Sequence, residues 1–248
     1  MNQPLLTGKR RIVRALHSVL LFSVTAIGLA LPGSLFAHAN IHVRLTAMYQ
    51  LIVADPGNPD LYLQGAELHR LHQDWKAALA DYRKLTHLAP YQPAIDFFLG
   101  RMWCEAGQPK RAKPALDRFL AQHPDHAQAL LIRARVLGER DIQFATVEDI
   151  SRAIEQFDNP TPEMYLERAQ WLVAEGEEHT GRALLGLDKG IERFGPLVTL
   201  IQYAIEIETK PGHYDAALAR LDTLAKGIQV LPAWIKRCAD ILSAAGRC

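Results

Sequence analysis

Beyond residue 40, apolar residues recur at intervals of three and four along most of the chain, and polar residues fill the positions between them. This spacing places the apolar side chains on one face and predicts amphipathic α-helices of about three to four turns. Short stretches rich in Pro and Gly interrupt the pattern, as at 55–57, 159–162 and 211–212. Because such residues end helices, the chain is predicted to be all-α, with successive helices joined by short turns.

The helical pattern repeats at a fixed interval. Pro90 and Pro124 mark this interval, each just after an apolar stretch, and Ala78 and Ala112 keep the same spacing. Two triplets do so as well: Leu63, Phe97 and Leu131, and Ala66, Gly100 and Ala134. Small residues suit positions where two helices cross closely, and large apolar residues fill the gaps between them. The period therefore indicates two-helix units whose apolar faces are buried only when neighbouring units stack.

The unit resembles the tetratricopeptide repeat (TPR), a helix-turn-helix with the same period as the spacings above. Within 60–90 the residue types match that repeat at Tyr62, Ala66, Trp75, Ala78, Tyr82 and Pro90, whereas Gly65 and His69 depart from it. The resemblance implies an all-α, right-handed superhelical solenoid whose first helices line a concave groove. It implies a binding role without naming the partner, because one fold hosts many functions.

The repeat phase predicts a single domain over 40–248. A leading helix at 41–55 caps the array, and a trailing helix at 231–247 ends it. Between them we place five repeats, at about 59–92, 93–126, 127–161, 162–196 and 197–230.

Residues 1–39 have the layout of a secretory signal peptide. Their four charged residues are all basic and precede an apolar run, Ala15–Leu31, and Ala37-His38-Ala39 supplies a small-x-small cleavage pattern. We expect cleavage after Ala39 and export to the periplasm or the medium. The alternative is an uncleaved helix that holds the chain at the membrane as an assembly factor. The apolar run is about 17 residues long and contains His17, which is short and polar for a membrane span.

The charge balance gives no sign of a nucleic-acid partner. The chain has 28 Lys and Arg against 27 Asp and Glu, and loss of residues 1–39 would leave a net charge of −3. An apolar fraction of 49% excludes a disordered chain. Three cysteines are too few for a disulfide scaffold; we expect Cys104 and Cys238 to be packed thiols and Cys248 a tail thiol. A Cys238–Cys248 disulfide is the alternative in an oxidising compartment.

The sequence contains no recognisable catalytic or metal motif. Beyond residue 39 the only serines are Ser151 and Ser243, and neither lies in a Gly-x-Ser-x-Gly setting. His69 and His72 share a helix face but lack further ligands, and His69 stands at an aromatic packing position. We therefore predict no enzymatic activity, no metal and no cofactor; a metal-handling or enzymatic protein is the less favoured alternative.

The groove-facing positions of the first helices suggest a peptide site. Equivalent positions on successive first helices form one rung across the groove. The first rung carries Leu63, Phe97, Leu131 and Leu166, and the second carries Glu67, Arg101, Arg135 and Gln170. Arg70 begins a third rung. We hypothesise that a peptide places apolar side chains on the first rung and an acidic group near Arg101 and Arg135, because guanidinium groups suit carboxylates. The alternative is that these arginines pair with Glu67, Glu105 or Glu139 inside the array.

Together these features predict an exported scaffold that binds a protein or peptide partner. The trailing helix adds a second expectation, because Ile241 and Leu242 near the open end of the array would favour a homodimer.

Overall fold

The structure, a computed structural model, describes residues 33–138, 143–210, 212–225 and 232–246. The basic and apolar part of the predicted signal peptide, residues 1–32, lies outside the described residues, as does Cys248. The described residues form twelve α-helices, which confirms the all-α prediction. Their bounds are α1 Gly33–Ala54, α2 Pro59–Leu71, α3 Trp75–Leu88, α4 Ala94–Glu105, α5 Pro109–Gln122, α6 Ala127–Gly138, α7 Gln143–Gln156, α8 Pro162–Glu175, α9 Thr180–Phe194, α10 Val198–Thr209, α11 Tyr214–Ala225 and α12 Pro232–Ala244.

The helix starts follow local capping chemistry. The Asn58 side chain accepts a hydrogen bond from the backbone N–H of Asp60, and Pro59 is the first residue of α2. Asp74, the residue before α3, caps that helix in the same way: its side chain accepts a hydrogen bond from the backbone N–H of Ala77. A short 3₁₀ turn, Glu177–His179, joins α8 to α9. The sequence breaks at 55–57 and 159–162 therefore fall between helices or at a helix start.

The chain divides into two compact units, Met1–Ile142 and Gln143–Cys248. Unit 1 contains α1–α6 and unit 2 contains α7–α12. The division falls between the two helices assigned to the third repeat, so the repeat bounds and the single-domain assignment stay predictions.

In unit 1 the repeated small residues are buried between helices. Ala66, Ala78, Ala112 and Ala134 are fully buried. At Gly100 a Cβ atom would stand 2.6 Å from Cγ of Leu116, so only glycine fits against α5. The repeat spacing thus marks the packing contacts between helices.

Helix α1 begins at Gly33, earlier than the predicted leading helix, and runs through the predicted cleavage position after Ala39. It packs on α2 through Leu45, Met48 and Leu68. Within the described residues, no helix combines the length and the apolar character that crossing a bilayer requires.

Unit 2 has two apolar clusters. One joins α8, α9 and α10 around Leu172, Leu187 and Leu200, and the other joins α10, α11 and α12. Ile241 of α12 belongs to the second cluster and is only 3% exposed. The expectation that Ile241 is open to a second copy is therefore corrected, because α12 folds this side chain onto α10 and α11. Cys238 packs against the same cluster, as expected.

Candidate functional site

A cleft of about 510 Å³ lies in unit 1 beside α1, α2 and the Phe98 side chain of α4. We call it the unit 1 cleft. Its apolar lining comes from Met48, Leu51, Leu63, Leu68, Leu71 and Phe98, and its charged lining from Arg44 and Glu67. Met48 and Leu68 are buried between the helices, whereas Leu51 and Leu71 are 52% and 53% exposed. The cleft therefore presents aliphatic surface to solvent next to charged groups.

Glu67 is the centre of a hydrogen-bond network at one side of this cleft. Its carboxylate accepts from the Tyr82 hydroxyl and from Arg101, and Nε of Arg70 donates to it at 3.1 Å. Nη1 of Arg70 also donates to the Glu105 carboxylate at 2.8 and 2.6 Å. Burial alone would raise the pKa of Glu67, but these donors hold it below the usual value. Glu67 is thus an ionised group that is already satisfied.

Arg101 is held within unit 1. It pairs with Glu67, and its guanidinium carbon lies 5.4 Å from the ring centres of both Phe97 and Phe98. This is the alternative named above, in which the arginine pairs inside the array. Arg101 therefore ties α2 to α4 through Glu67, and its charge is not available to a ligand without loss of that link.

The structure places Phe97 in the core instead of the groove lining. It is 7% exposed and its ring packs on those of Phe119 and His126. The neighbouring Phe98, which the sequence pattern did not single out, lines the unit 1 cleft. Consecutive residues on a helix point about 100° apart, so the doublet of phenylalanines was the available signal that either ring could face the cleft.

The remaining predicted residues divide between the units. Leu131 is half-buried and Arg135 exposed on α6 of unit 1. Leu166 and Gln170 line a separate cleft of about 440 Å³ in unit 2, with Tyr203 and Glu206 of α10. Burial, with a smaller effect of Glu206, raises the pKa of Tyr203 to about 12, so this phenol stays neutral. Leu166 and Gln170 therefore border a cleft of unit 2, whereas Leu131 and Arg135 lie on α6 of unit 1.

His69 has a packing environment. It is buried, and its Nε2 lies 3.1 Å from the Tyr49 hydroxyl and 3.7 Å from the Asp81 carboxylate. Among the described residues there is no group of three or more side chains suited to hold a metal ion. These contacts match the expected role of His69 as a substitute for an aromatic packing residue.

The structure was compared with known proteins. No protein-family model matches the chain, and no curated protein matches it. Solved structures do match. YrrB, described as a TPR protein with an unusual peptide-binding site, superposes with a TM-score of 0.62 at 19% identity over 78% of this chain and 98% of its own. The chain has the fold of TPR proteins.

Two further TPR-like structures support this assignment of the fold. A tetratricopeptide repeat protein from Parabacteroides merdae gives a TM-score of 0.58 at 13% identity, covering 86% of this chain and 84% of its own. MamA from Desulfovibrio magneticus gives 0.55 at 15% identity, covering 74% and 94%. Similarity at these identities concerns the fold alone, so function is argued from the clefts of this chain.

Proposed function

We propose that this TPR-fold chain is a non-catalytic scaffold that binds a peptide segment of a protein partner in the unit 1 cleft. The observation that carries the proposal is the pair of half-exposed leucines, Leu51 and Leu71, in a cleft that Phe98 also lines. Exposed aliphatic groups in a concave site of this volume bury favourably against apolar side chains of a ligand. Leu63 lies in the same lining, and we assign to it the apolar contact that the sequence predicts.

The charges around the cleft indicate which peptide fits. Glu67 is satisfied by Tyr82, Arg70 and Arg101. Arg44 is exposed and forms no ion pair with the described residues. A peptide with aliphatic side chains and an acidic residue beside Arg44 is therefore the best match. The peptide-binding site ascribed to YrrB supports a peptide ligand for this fold.

The other predicted contacts extend this proposal. Leu131 and Arg135 lie on α6, which packs beside α4, and we place the continuation of the peptide path there. Leu166 and Gln170 line their own cleft in unit 2 and form a second candidate contact for the same partner.

The test compares two sets of variants in the full chain. Leu51→Glu/Leu71→Glu places charge in the cleft at positions exposed enough to tolerate it. Val53→Glu is the matched control, because Val53 is 80% exposed on the same helix as Leu51 and does not line the cleft. Each protein is used to capture partners from native extract, and the captured proteins are identified by mass spectrometry.

We expect the wild type and Val53→Glu to capture a specific partner that the double variant does not capture. A fragment of that partner should bind the purified wild type with the same pattern. Equal capture by all three proteins would show that the cleft is not the site. Charge reversal at Arg101 is avoided here, because it would break the pair with Glu67.

We also propose, from residues 1–39 alone, that the chain is exported. Cleavage after Ala39 would shorten α1 to 40–54 and keep Leu45 and Met48 in their packing on α2. The test is the mass of the N-terminal peptide of the protein recovered from soluble and membrane fractions of its own cells. An N-terminus at Asn40 supports export, and an intact Met1 in the membrane fraction supports the anchored alternative.

A further inference from the structure

Unit 2 contains another cleft, which lies between α7, α8 and α9 and has a volume of about 460 Å³. Its lining carries four basic side chains and two acidic ones: Arg168, Arg182, Lys189 and Arg193 against Glu155 and Asp158. We call it the basic cleft. None of its lining residues belongs to the unit 1 cleft or to the groove positions predicted from the sequence, so the proposed function does not account for it.

Arg168 differs from three other half-buried arginines of the described residues, Arg70, Arg101 and Arg220. Its Nε donates to Oγ of Ser151 at 2.7 Å, and the Ser151 hydroxyl donates in turn to the carbonyl of Val147 at 2.7 Å. Arg70, Arg101 and Arg220, by contrast, each bind a carboxylate. Arg168 forms no ion pair within the described residues, and its two Nη groups make no hydrogen bond there. The Nη groups can therefore donate charge-assisted hydrogen bonds to a bound anion.

The electrostatic surroundings of Arg168 point the same way. Burial and the neighbouring Arg182 lower the pKa of Arg168. Glu155 opposes this effect but does not reach ion-pair distance. The surroundings of Arg168 are therefore more positive than negative and favour an added negative charge.

Helix α9 leaves room for the guanidinium. A Cβ atom on Gly186 would stand 2.6 Å from Nη1 of Arg168. The face of α9 that carries Gly186 also carries three basic residues at helical spacing, Arg182, Lys189 and Arg193. The missing side chain at 186 thus lets Arg168 join three basic groups at one cleft.

The cleft also has apolar walls, from Ile154, Phe157 and Leu185, of which Leu185 is 60% exposed. An inorganic anion would satisfy the charges and leave these walls in water. A ligand that carries an oxyanion next to an apolar group uses both parts of the lining. Acidic residues beside aliphatic or aromatic ones supply this combination in a peptide.

We infer that the basic cleft binds an acidic, apolar peptide segment of a protein partner, with a carboxylate of that segment on Arg168 and its apolar neighbour against Leu185. Arg182 and Lys189 add attraction at the rim, and Ser151 holds the guanidinium in position. The cleft is a binding site on unit 2 that is separate from the unit 1 cleft.

The test is selection of peptides from a displayed random library on the full chain. Selections on the wild type and on Arg168→Ala are sequenced side by side. Lys210→Ala is the matched control, since it also removes one positive charge from unit 2 but at an exposed surface pair with Glu206. The best acidic peptide is then synthesised with a fluorophore, together with its Glu→Gln or Asp→Asn counterpart, and affinities are measured by anisotropy.

We expect the wild type and Lys210→Ala to enrich peptides with Asp or Glu beside Leu, Ile or Phe. The selected peptide should bind Arg168→Ala weaker by about tenfold or more, the size of one lost hydrogen bond to a charged group. Its amide counterpart should bind the wild type with a similar loss. Gly186→Ala should also weaken binding, because it displaces the guanidinium while keeping its charge. Its unfolding curve is measured alongside to show that the fold is kept.

Three results would overturn the inference. One is the absence of acidic peptides from the wild-type selection, and another is equal affinity for the wild type and Arg168→Ala. The third is an Arg168-dependent response to inorganic phosphate without any selected acidic peptide, which would make the cleft an anion site of another class. Binding of the selected peptide should persist in Leu51→Glu/Leu71→Glu, so failure of the proposed function and failure of this inference are told apart.

Discussion

Glu67 and Arg101 form an ion pair although they are 34 residues apart, the length of one repeat. The two residues occupy equivalent positions on α2 and α4, so opposite charges at one repeated position join consecutive first helices. A second pair, Arg70 with Glu105 at 2.6 Å, adds a parallel link between the same helices. Two ion pairs therefore help to hold α2 against α4 in unit 1.

Removal of the Glu67 carboxylate should destabilise unit 1. Glu67→Ala would leave Arg70 and Tyr82 without one partner each and Arg101 without its only carboxylate within the described residues. We expect a loss of about 1–3 kcal/mol in the free energy of unfolding by urea. A cycle with Arg101→Ala should show coupling of roughly 0.5–3 kcal/mol.

The control for this experiment is an exposed pair. Lys210 and Glu206 are 63% and 52% exposed, and Glu206→Ala should change stability by less than about 1 kcal/mol. Equal effects of Glu67→Ala and Glu206→Ala would contradict a structural role for the Glu67 network.

The same network predicts an acid-dependent loss of stability. Burial raises the pKa of Glu67, but the hydrogen bond from Tyr82 and the charges of Arg101 and Arg70 outweigh it and place the folded pKa below the usual 4.5. Its stabilisation is therefore complete above pH 4.5 and is lost as the pH falls through the lower folded value. The difference in unfolding free energy between the wild type and Glu67→Gln should shrink between pH 5 and pH 3. A constant difference over that range would contradict the lowered pKa.

The fold was predictable from the sequence because the repeat period of the residue types follows the packing contacts between helices. Ala66, Gly100 and Ala134 recur at the repeat interval. Ala66 and Ala134 are fully buried, and a Cβ atom at Gly100 would meet Leu116. The breaks rich in Pro and Gly likewise end helices by local chemistry alone. The first signal spans several repeats and the second only a few residues, but both are visible in the residue types alone.

The site was less predictable because it depends on contacts between repeats. The repeat phase assigns Phe97 to the groove, but Phe119 of α5 and His126 before α6 enclose its ring and leave Phe98 at the cleft. Ile241 was expected to be exposed because nothing in its own helix shows that α10 and α11 cover it. In the same way the three basic residues of α9 have helical spacing in the sequence, but Arg168 joins them only through the gap at Gly186.

Gly100 offers a test of the packing argument. An added Cβ would meet Cγ and Cδ2 of Leu116 at 2.6 and 2.7 Å and the Leu116 backbone nitrogen at 3.4 Å. Because the backbone of α5 lies directly behind the side chain, Gly100→Ala should cost about 1–3 kcal/mol of unfolding free energy despite the higher helix propensity of alanine.

Gly181→Ala is the matched variant for that prediction. Gly181 lies in α9, and a Cβ there would meet nothing within 4 Å. Stability should be unchanged or higher by up to about 1 kcal/mol, since alanine favours the helix. A gain in both variants would show that the α4–α5 contact is looser than the distances indicate.

His126 links the stability of unit 1 to pH near neutrality. Its Nδ1 accepts a hydrogen bond from the backbone N–H of Ala129 at 3.1 Å, which requires an unprotonated nitrogen at the start of α6. Burial first, and then the charge of His123, hold the pKa of His126 below 6.5. The unfolded chain therefore takes up a proton more readily than the folded one. Stability should be highest above pH 6.5 and should fall as the pH drops from 6.5 towards the lower folded pKa.

The measurement is the urea midpoint at several values between pH 8 and pH 5 for the wild type and His126→Asn. Asparagine is a favourable N-cap that does not titrate, so His126→Asn should lose less stability over this range than the wild type. The exposed His87→Asn is the control and should follow the wild type. A parallel fall of the urea midpoint in His126→Asn and the wild type would contradict this prediction. It would mean that another group causes the pH dependence and that protonation of His126 does not open the cap.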